Sequence, residues 1–232
     1  GPSRAGLWLS LAAMLLISAA VVWQGLAGAQ APAGVMIATI DAKWSGRALA
    51  DHAGVAAGQR LELAEGAAWI RTSTGAHIII EAPARFSLPH PNALALDHGR
   101  VVVRCDSPES QGFDVTARGV RTVDLGTEFG VIAADAAVSI HVLEGQVLVG
   151  SAGVTKHHLG ELGHDGATRV VAGDDEEYPS GTGRRFIARQ AVTVTLADMS
   201  MQPTPLDQER FITTDRFRAK LDRARVARPT GW

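Results

Sequence analysis

A series of short apolar segments separated by turn residues constrains the fold of this chain more than any other feature. Between Val35 and Gly150 such segments follow one another about every eight to twelve residues, and most end in Gly or in an Asp, Asn or Ser turn. They include VMIATI, RLELAEG, AAWIRTSTG, NALALDHG, GFDVTARG and QVLVG. This spacing predicts an all-β domain, folded as an antiparallel β-sandwich or a solenoid-like β-roll.

The hydrophobic pattern also separates half-exposed strands from buried ones. In RLEL, ALAL and SIHVL the apolar residues alternate with other residues, so one face of each strand is expected to be buried and the other exposed to water. The runs HIII at His77–Ile80 and RVVV at Arg100–Val103 lack this alternation. We therefore predict that these two runs lie in central strands that are covered on both faces.

The N-terminal segment Gly6–Trp23 contains no charged residue. Because about 18 or more apolar residues can cross a bilayer as a helix, we predict a transmembrane helix over residues 6–28, after a cytoplasmic stub at residues 1–5. Arg4 precedes this helix, and a positive charge on that side places the bulk of the chain outside the cytoplasm. The alternative is a cleaved signal peptide, for which the small residues of LAGAQ would supply the cleavage site.

The C-terminal part of the chain carries a helix pattern. Asp207 is a possible N-cap, Phe217 and Leu221 lie four apart on one helix face, and Pro229 is expected to stop the helix. Its basic residues are interrupted by aspartates, which indicates an exposed helix or linker. The predicted divisions after the membrane segment are a connector at 29–36, a periplasmic β-domain at 37–196, and a C-terminal helix or linker at 197–232.

The stretch VRTVDLGTEFGVIAAD raises the question of a catalytic carboxylate pair, Asp124 and Glu128. We interpret it instead as a corner between two strands. Gly126 supplies a residue that tolerates positive φ, and Phe129 and Val131 share one face of the strand that follows. Asp124 is expected to accept hydrogen bonds from backbone N–H groups of the turn, as Asp side chains commonly do. The sequence offers no further carboxylates or cleft residues to support acid–base catalysis.

In order, the segments RLELAEGAAWIRTSTGAHIIIEAPARFSL, NALALDHGRVVVRC, GFDVTARGVRTVDLGTEFGV and VSIHVLEGQVLV resemble the FecR domain. The resemblance runs over about Ile37 to Gly150, and its most specific part is VDLGTEFGV followed by HVLEGQVLV. The motif residues are Val123, Asp124, Leu125, Gly126, Thr127, Glu128, Phe129, Gly130, Val131, Glu144 and Gly145. We expect these residues to build the fold.

The resemblance implies the extracytoplasmic sensor and regulator domain of a single-pass inner-membrane anti-sigma factor. In that family a periplasmic domain receives a signal, often from an outer-membrane TonB-dependent transducer. A cytoplasmic N-terminal region binds an extracytoplasmic-function (ECF) sigma factor. This chain begins GPSR without Met, so we expect that region to precede it. The family brings no cofactor and no catalytic residue, and we therefore expect no enzymatic activity.

Other candidate sites in the sequence are weak. Cys105 is the single cysteine, which excludes an internal disulfide framework and a multi-cysteine zinc site, and we expect it to be buried in a strand. The spacing of His157, His158 and His164 matches no familiar zinc site, and the acidic run Asp174–Glu177 is typical of a solvated loop. No basic stripe with interleaved aromatic residues crosses the main body. We therefore expect no metal, no cofactor and no nucleic-acid partner.

Two functions of different classes are consistent with these features. The first is signalling through protein contacts, in which a transducer or another periplasmic protein acts on the membrane-anchored domain. The second is a cell-envelope scaffold or carbohydrate-binding protein without a signalling role. For the first, we expect a partner strand to add to an open sheet edge, with VMIATI and QVLVG as the candidate edges.

Overall fold

The computed structural model describes residues 32–46, 48–152 and 183–227. These parts of the chain form a mostly antiparallel β-structure with one short C-terminal helix, which confirms the predicted β class and helix. The strands are β1 (Gly34–Trp44), β2 (Gly54–Val55), β3 (Arg60–Thr72), β4 (His77–His90), β5 (Ala93–Arg104), β6 (Asp114–Ala117), β7 (Val120–Asp124), β8 (Glu128–Ala133), β9 (Ala137–Glu144), β10 (Gln146–Ser151), β11 (Gly183–Ile187), β12 (Ala191–Thr195) and β13 (Met201–Pro203). Helix α1 is Thr214–Ala227, and short 3-10 turns lie at Pro108–Ser110 and Gln208–Arg210.

The four longest strands form the antiparallel order β1-β3-β4-β5, and each has a register irregularity near its middle. The irregularities lie between Ile40 and Lys43 in β1, between Leu63 and Ala67 in β3, between Glu81 and Arg85 in β4, and at Gly99 in β5. An irregularity of this kind bends a strand and increases its twist. The four irregularities lie next to one another across the sheet, so the four strands are expected to bend at corresponding positions.

Strands from distant positions in the sheet contribute to one interior cluster, which we call the main core. Met36 of β1 and Val149 of β10 are both fully buried in it, together with the large side chains Phe86, Phe113 and Phe129. Burying a side chain of this size stabilises a fold by roughly 1.5–3 kcal/mol. Since strands that are far apart in the sheet share this cluster, the sheet closes around it.

A second, smaller cluster lies on the opposite face of the long strands, and we call it the outer cluster. Its buried members are Ala38, Ile40, Ala67, Trp69, Ile79, Val102, Phe211 and Phe217. In HIII, Ile78 and Ile80 belong to the main core whereas Ile79 belongs to the outer cluster. Val102 of RVVV likewise lies in the outer cluster between two main-core valines. The prediction that both runs are covered on two faces is confirmed.

The C-terminal helix begins later than the sequence pattern indicated. Asp207 was expected to cap it, but the Asp207 side chain accepts a hydrogen bond from the Glu209 N–H and caps the short 3-10 turn instead. The helix starts at Thr214, after Phe211 has entered the outer cluster. Phe217 is fully buried in the outer cluster, and Leu221 packs against that cluster, as the four-residue spacing predicted. Pro229 lies outside the described residues.

The two predicted sheet edges differ in the structure. Strand β10, which contains QVLVG, is paired with β7 on one side and β11 on the other, so the prediction that it is an edge is wrong. Strand β1 pairs with β3 along its length and with β2 only at Gly34 and Val35. The rest of its outer edge carries the charged residues Asp41 and Lys43 next to the register irregularities, and such features oppose pairing with another chain.

No helix in the described part of the chain is long and apolar enough to cross a membrane. The predicted transmembrane segment at residues 6–28 lies outside that part.

Candidate functional site

Strand β5 is the point at which the sheet divides. One side of β5 pairs with β4. On its other side, Ala93–Leu96 pair with β6 in parallel, whereas Gly99–Arg104 pair with β8 in antiparallel fashion. The parallel pair departs from the purely antiparallel sheet that the sequence predicted. Two arms therefore leave β5, one running β6-β7-β10-β11 and the other β8-β9-β12-β13.

Two of the crossings between the two arms lie inside the predicted motif. The first crossing joins β7 to β8 through Leu125–Thr127. The second joins β9 to β10 through Gly145. A third, at Ala188–Gln190, joins β11 to β12, and the Ala188 N–H donates to the Gly145 carbonyl over 2.8 Å. The motif residues thus lie where the two halves of the sheet are tied together.

The first crossing is a turn capped by Asp124. Its Oδ2 accepts a hydrogen bond from the Gly126 N–H at 2.9 Å, and Gly126 has a φ of 97°. The Leu125 N–H donates to the carbonyl of Gln146 at 3.1 Å, which links this turn to the start of β10. Both the Asp124 cap and the positive φ of Gly126 are confirmed as predicted.

The second crossing packs directly against the first. Gly145 has a φ of 75°, and a Cβ built on it would overlap the Gly126 carbonyl oxygen and lie 2.7 Å from Cγ2 of Thr127. No side chain fits between the two turns. Gly145 is therefore required for both its backbone conformation and the close approach of the crossings.

Asp124 is a fully buried carboxyl group at this contact. Burial raises its pKa to about 6, although hydrogen bonds to the amides of Gly126 and Thr127 and to the thiol of Cys105 partly offset the effect. The oxygen that does not bind Gly126, Oδ1, has no partner with full hydrogen-bond geometry among the described residues. Cys105 is buried, as predicted, but it lies just after the end of β5 and not in a strand, and its thiol pKa is raised by burial and by the Asp124 charge. The ionised form of Asp124 is thus held in an unfavourable environment.

We expect Asp124→Asn to stabilise the protein at pH 8 and to have little effect at pH 4. The amide oxygen still caps Gly126, and the buried charge is removed. A carboxyl pKa raised from 3.8 to about 6 favours the folded state at acidic pH, and this contribution is lost as the pH rises through 6. The difference amounts to at most about 3 kcal/mol, at 1.36 kcal/mol per pKa unit.

The measurement is the difference in melting temperature between variant and wild type from pH 4 to pH 8. Other titrating groups contribute to both proteins and cancel in this difference. A difference that does not change with pH would contradict the assignment of the raised pKa to Asp124.

Glu128 lies on the opposite side of the sheet from the main core. Phe129 and Val131, its neighbours in β8, face the core, so Glu128 and Gly130 face outward. Glu128 is nevertheless buried, because its Oε1 accepts a hydrogen bond from the Thr214 N–H at the start of α1, at 3.3 Å. Burial raises its carboxyl pKa, while the Thr214 amide and the charge of Arg104 partly offset this. Glu128 therefore anchors the C-terminal helix.

Asp124 and Glu128 lie on opposite faces of the sheet and have different structural roles. Asp124 shares the inward face of β7 with Val120 and caps a turn, whereas Glu128 faces outward and holds a helix. They do not form a pair around a substrate-sized space, and the arrangement supports the interpretation of the stretch as a structural corner.

We expect Glu128→Gln to cost no stability, because the amide oxygen can still accept from the Thr214 N–H and a charge that burial disfavours is removed. Glu128→Leu should cost about 1–3 kcal/mol, since it leaves that buried N–H without a partner. Urea denaturation of both variants checks this. Equal costs for Gln and Leu would show that the charge of Glu128, rather than its hydrogen bond, stabilises the structure.

The second glycine of the motif, Gly130, provides a seat for Phe211. A Cβ at Gly130 would overlap the Phe211 ring, with 2.6 Å to its Cζ atom. The ring also packs edge-on against His141 of β9, with 5.0 Å between centroids. Neither the contact of Phe211 with Gly130 nor the hydrogen bond of Glu128 to α1 was predicted from the sequence. The available signal was a glycine inside a strand, which often marks the close approach of another part of the chain.

Other candidate ligands give no site in the described part of the chain. No group of three or more His, Cys, Asp or Glu residues there is arranged to hold a metal ion. His157, His158, His164 and the run Asp174–Glu177 lie outside the described residues.

Comparison with protein families finds one match in this region. The family described as FecR protein matches residues 84–148, from within β4 to within β10. The FecR resemblance is confirmed over this segment. The FecR segment contains the division at β5, the first two crossings and every residue of the predicted motif. It is narrower than the expected range, because the first strands before residue 84 are not part of the match.

Solved structures show a weaker likeness. Two crystal structures of a candidate anti-sigma factor from Parabacteroides distasonis ATCC 8503, at 1.65 and 2.50 Å resolution, are similar to the chain at 13% and 12% identity, each with a TM-score of 0.46. Each alignment covers 65% of this chain, and the chain spans 61% of the length of each structure. Comparison with curated protein sequences finds no match.

Proposed function

We propose that this chain is the extracytoplasmic sensor and regulatory part of a single-pass membrane anti-sigma factor. It binds a periplasmic partner, such as an outer-membrane TonB-dependent transducer, and passes the signal to an ECF sigma factor through protein contacts. The membrane helix is residues 6–28, and the β-domain lies in the periplasm. The observation that carries this proposal is the FecR match over residues 84–148.

The geometry of the FecR segment supports a role without chemistry. The carboxylates that could have formed a catalytic pair are used to cap a turn and to hold a helix. Asp124 is fully buried and Glu128 nearly so, and neither is available to a substrate. We infer that the domain is a binding and regulatory module, not an enzyme.

The sequence pattern supports the location. Gly6–Trp23 has no charged residue, and Arg4 lies on the side that remains in the cytoplasm under the positive-inside rule. This topology places the domain on the side of the membrane where an outer-membrane partner can reach it. The sigma factor then contacts a region that precedes Arg4.

The test is transcription from a promoter that depends on the sigma factor, in the organism that carries the gene. Three chromosomal changes are compared: deletion of the codons for residues 32–227, Gly145→Ala and Gly119→Ala. We expect the deletion to alter promoter output because it removes the folded domain, and Gly145→Ala to alter it because the added Cβ forces the two crossings apart and destabilises the domain. Gly119→Ala is the matched control, since Gly119 also has positive φ but a Cβ there meets nothing within 4 Å.

Membrane fractionation and an alkaline phosphatase fusion after Trp232 establish that each protein is present and exported. Unchanged output for the deletion, with the remaining protein inserted in the membrane, would refute the signalling role. The cell-envelope scaffold would then become the better assignment.

A further inference from the structure

His141 carries a buried imidazole ring. It lies on the outward face of β9 with 1% of its surface exposed, and neither Nδ1 nor Nε2 has a hydrogen-bond partner in the described part of the chain. Ser139 and Leu143, its neighbours on the same strand face, are only half-buried. A local cover therefore excludes water from His141.

That cover is Phe211. Its ring packs edge-on against the imidazole, and it sits on Gly130, where a side chain would displace it. Phe211 is itself 1% exposed although it belongs to no strand or helix. His141 can reach water most directly by moving Phe211 away, since its flanking neighbours in the sheet are the backbones of Gly130 and Ala191.

Phe211 is the first residue of a segment that holds α1 to the sheet, and we call Phe211–Leu221 the clasp. The Ile212 N–H donates to Oε1 of Glu81 at 2.8 Å, and the Thr214 N–H donates to Glu128. Phe217 packs edge-on against Trp69, with 5.9 Å between ring centroids. The clasp covers the apolar outer cluster, so its release would expose that surface.

Within the described ranges of the chain, no counter-ion contacts the His141 ring. Arg210 and Asp207 lie in the turn before Phe211. Arg210 lowers the pKa of His141 and Asp207 raises it, and the effect of Arg210 is the larger. The facing residues of β8 and β12, Gly130 and Ala191, are uncharged. A protonated ring would carry two N–H donors in this site without an acceptor for either.

We propose that the clasp is an acid-sensitive latch, in which a proton taken from solvent by His141 expels Phe211 and releases the clasp from the outer cluster. In the closed state the neutral imidazole packs on Phe211 as an aromatic ring. The charged imidazolium is unstable in that buried position and requires contact with water. The latch is a property of the fold and does not depend on the proposed function.

The direction of the pH effect follows from the burial of the ring. Burial lowers the pKa of His141 in the closed state, so the open state binds the proton more readily. The latch is therefore closed above the ordinary histidine pKa and loosens as the pH falls below it. The raised pKa of Glu128 works against this effect, because acid relieves the burial of its charge in the closed state.

The test is hydrogen exchange of the backbone amides of residues 212–221 in the full 232-residue chain, at pH 7.5 and pH 5.0 and corrected for intrinsic exchange rates. With an open-state histidine pKa of about 6.5, opening should increase up to about 30-fold at pH 5.0. His141→Leu, which cannot titrate, should lose this increase. Glu128→Gln should keep it, and Gly130→Ala should open the clasp at both pH values.

An increase of the same size in His141→Leu, or none in the wild type, would overturn the proposal. A second measurement covers the case in which His141→Leu does not fold: the ring of His141 in the wild type is titrated by NMR. A ring that takes up its proton near pH 6.5 while the clasp amides stay protected would also overturn it. A ring that titrates only together with loss of protection supports the latch.

Discussion

Replacing Gly145 by alanine is expected to destabilise the protein by about 2–5 kcal/mol. The left-handed conformation of residue 145, with φ at 75°, costs a non-glycine residue about 1–2 kcal/mol. The added Cβ would also overlap the Gly126 carbonyl, and overpacking of this kind typically costs about 1–3 kcal/mol more. The two crossings would have to separate, which loosens the connection between the arms of the sheet. Urea denaturation of the purified protein measures the change in the free energy of unfolding.

Gly126→Ala is the matched control for this prediction. Gly126 has a φ of 97°, but a Cβ there meets nothing within 4 Å. Only the conformational cost of about 1–2 kcal/mol is expected. If the two alanine variants lost the same stability, the close contact between the crossings would not contribute, and the explanation for Gly145 would be wrong.

Phe129→Ala is expected to cost about 3–5 kcal/mol, the usual range for removing a buried aromatic ring. Phe129 is fully buried in the main core and follows Glu128 directly in β8, the strand that begins one arm of the sheet. The vacated space lies among strands of both arms, so the surroundings cannot easily collapse into it. Thermal and urea denaturation should both report the loss.

Phe186→Ala supplies the comparison for Phe129. Phe186 lies in β11 and packs against the main core while remaining only partly buried. The Phe186 side chain buries less apolar surface than Phe129 does. The loss of stability in Phe186→Ala should therefore be clearly smaller than in Phe129→Ala. If Phe186→Ala lost more stability than Phe129→Ala, β8 would not be more tightly packed than β11.

Local sequence patterns were enough to predict which segments form strands and which of their faces are buried. Alternation and apolar runs identified the strands, and HIII and RVVV were correctly assigned to a sheet with two covered faces, because burial on both sides requires apolar residues on both sides. The Asp124 cap and the positive φ of Gly126 could also be predicted, since the cap is made within three residues. These features depend on neighbours in the chain, which a sequence displays directly.

The division of the strands into two arms and the segment that covers the sheet could not be predicted, because both depend on contacts between residues far apart in the chain. The parallel pairing of β5 with β6, the contact of Gly145 with Gly126, and the seat of Phe211 on Gly130 join residues that local periodicity does not relate. The same holds for Glu128, which looks like an exposed strand residue until Thr214, 86 residues later, donates to it. A strand pattern states which face is apolar, but it does not state which distant segment covers that face. That choice depends on the packing of the whole chain, and it places His141 beneath Phe211.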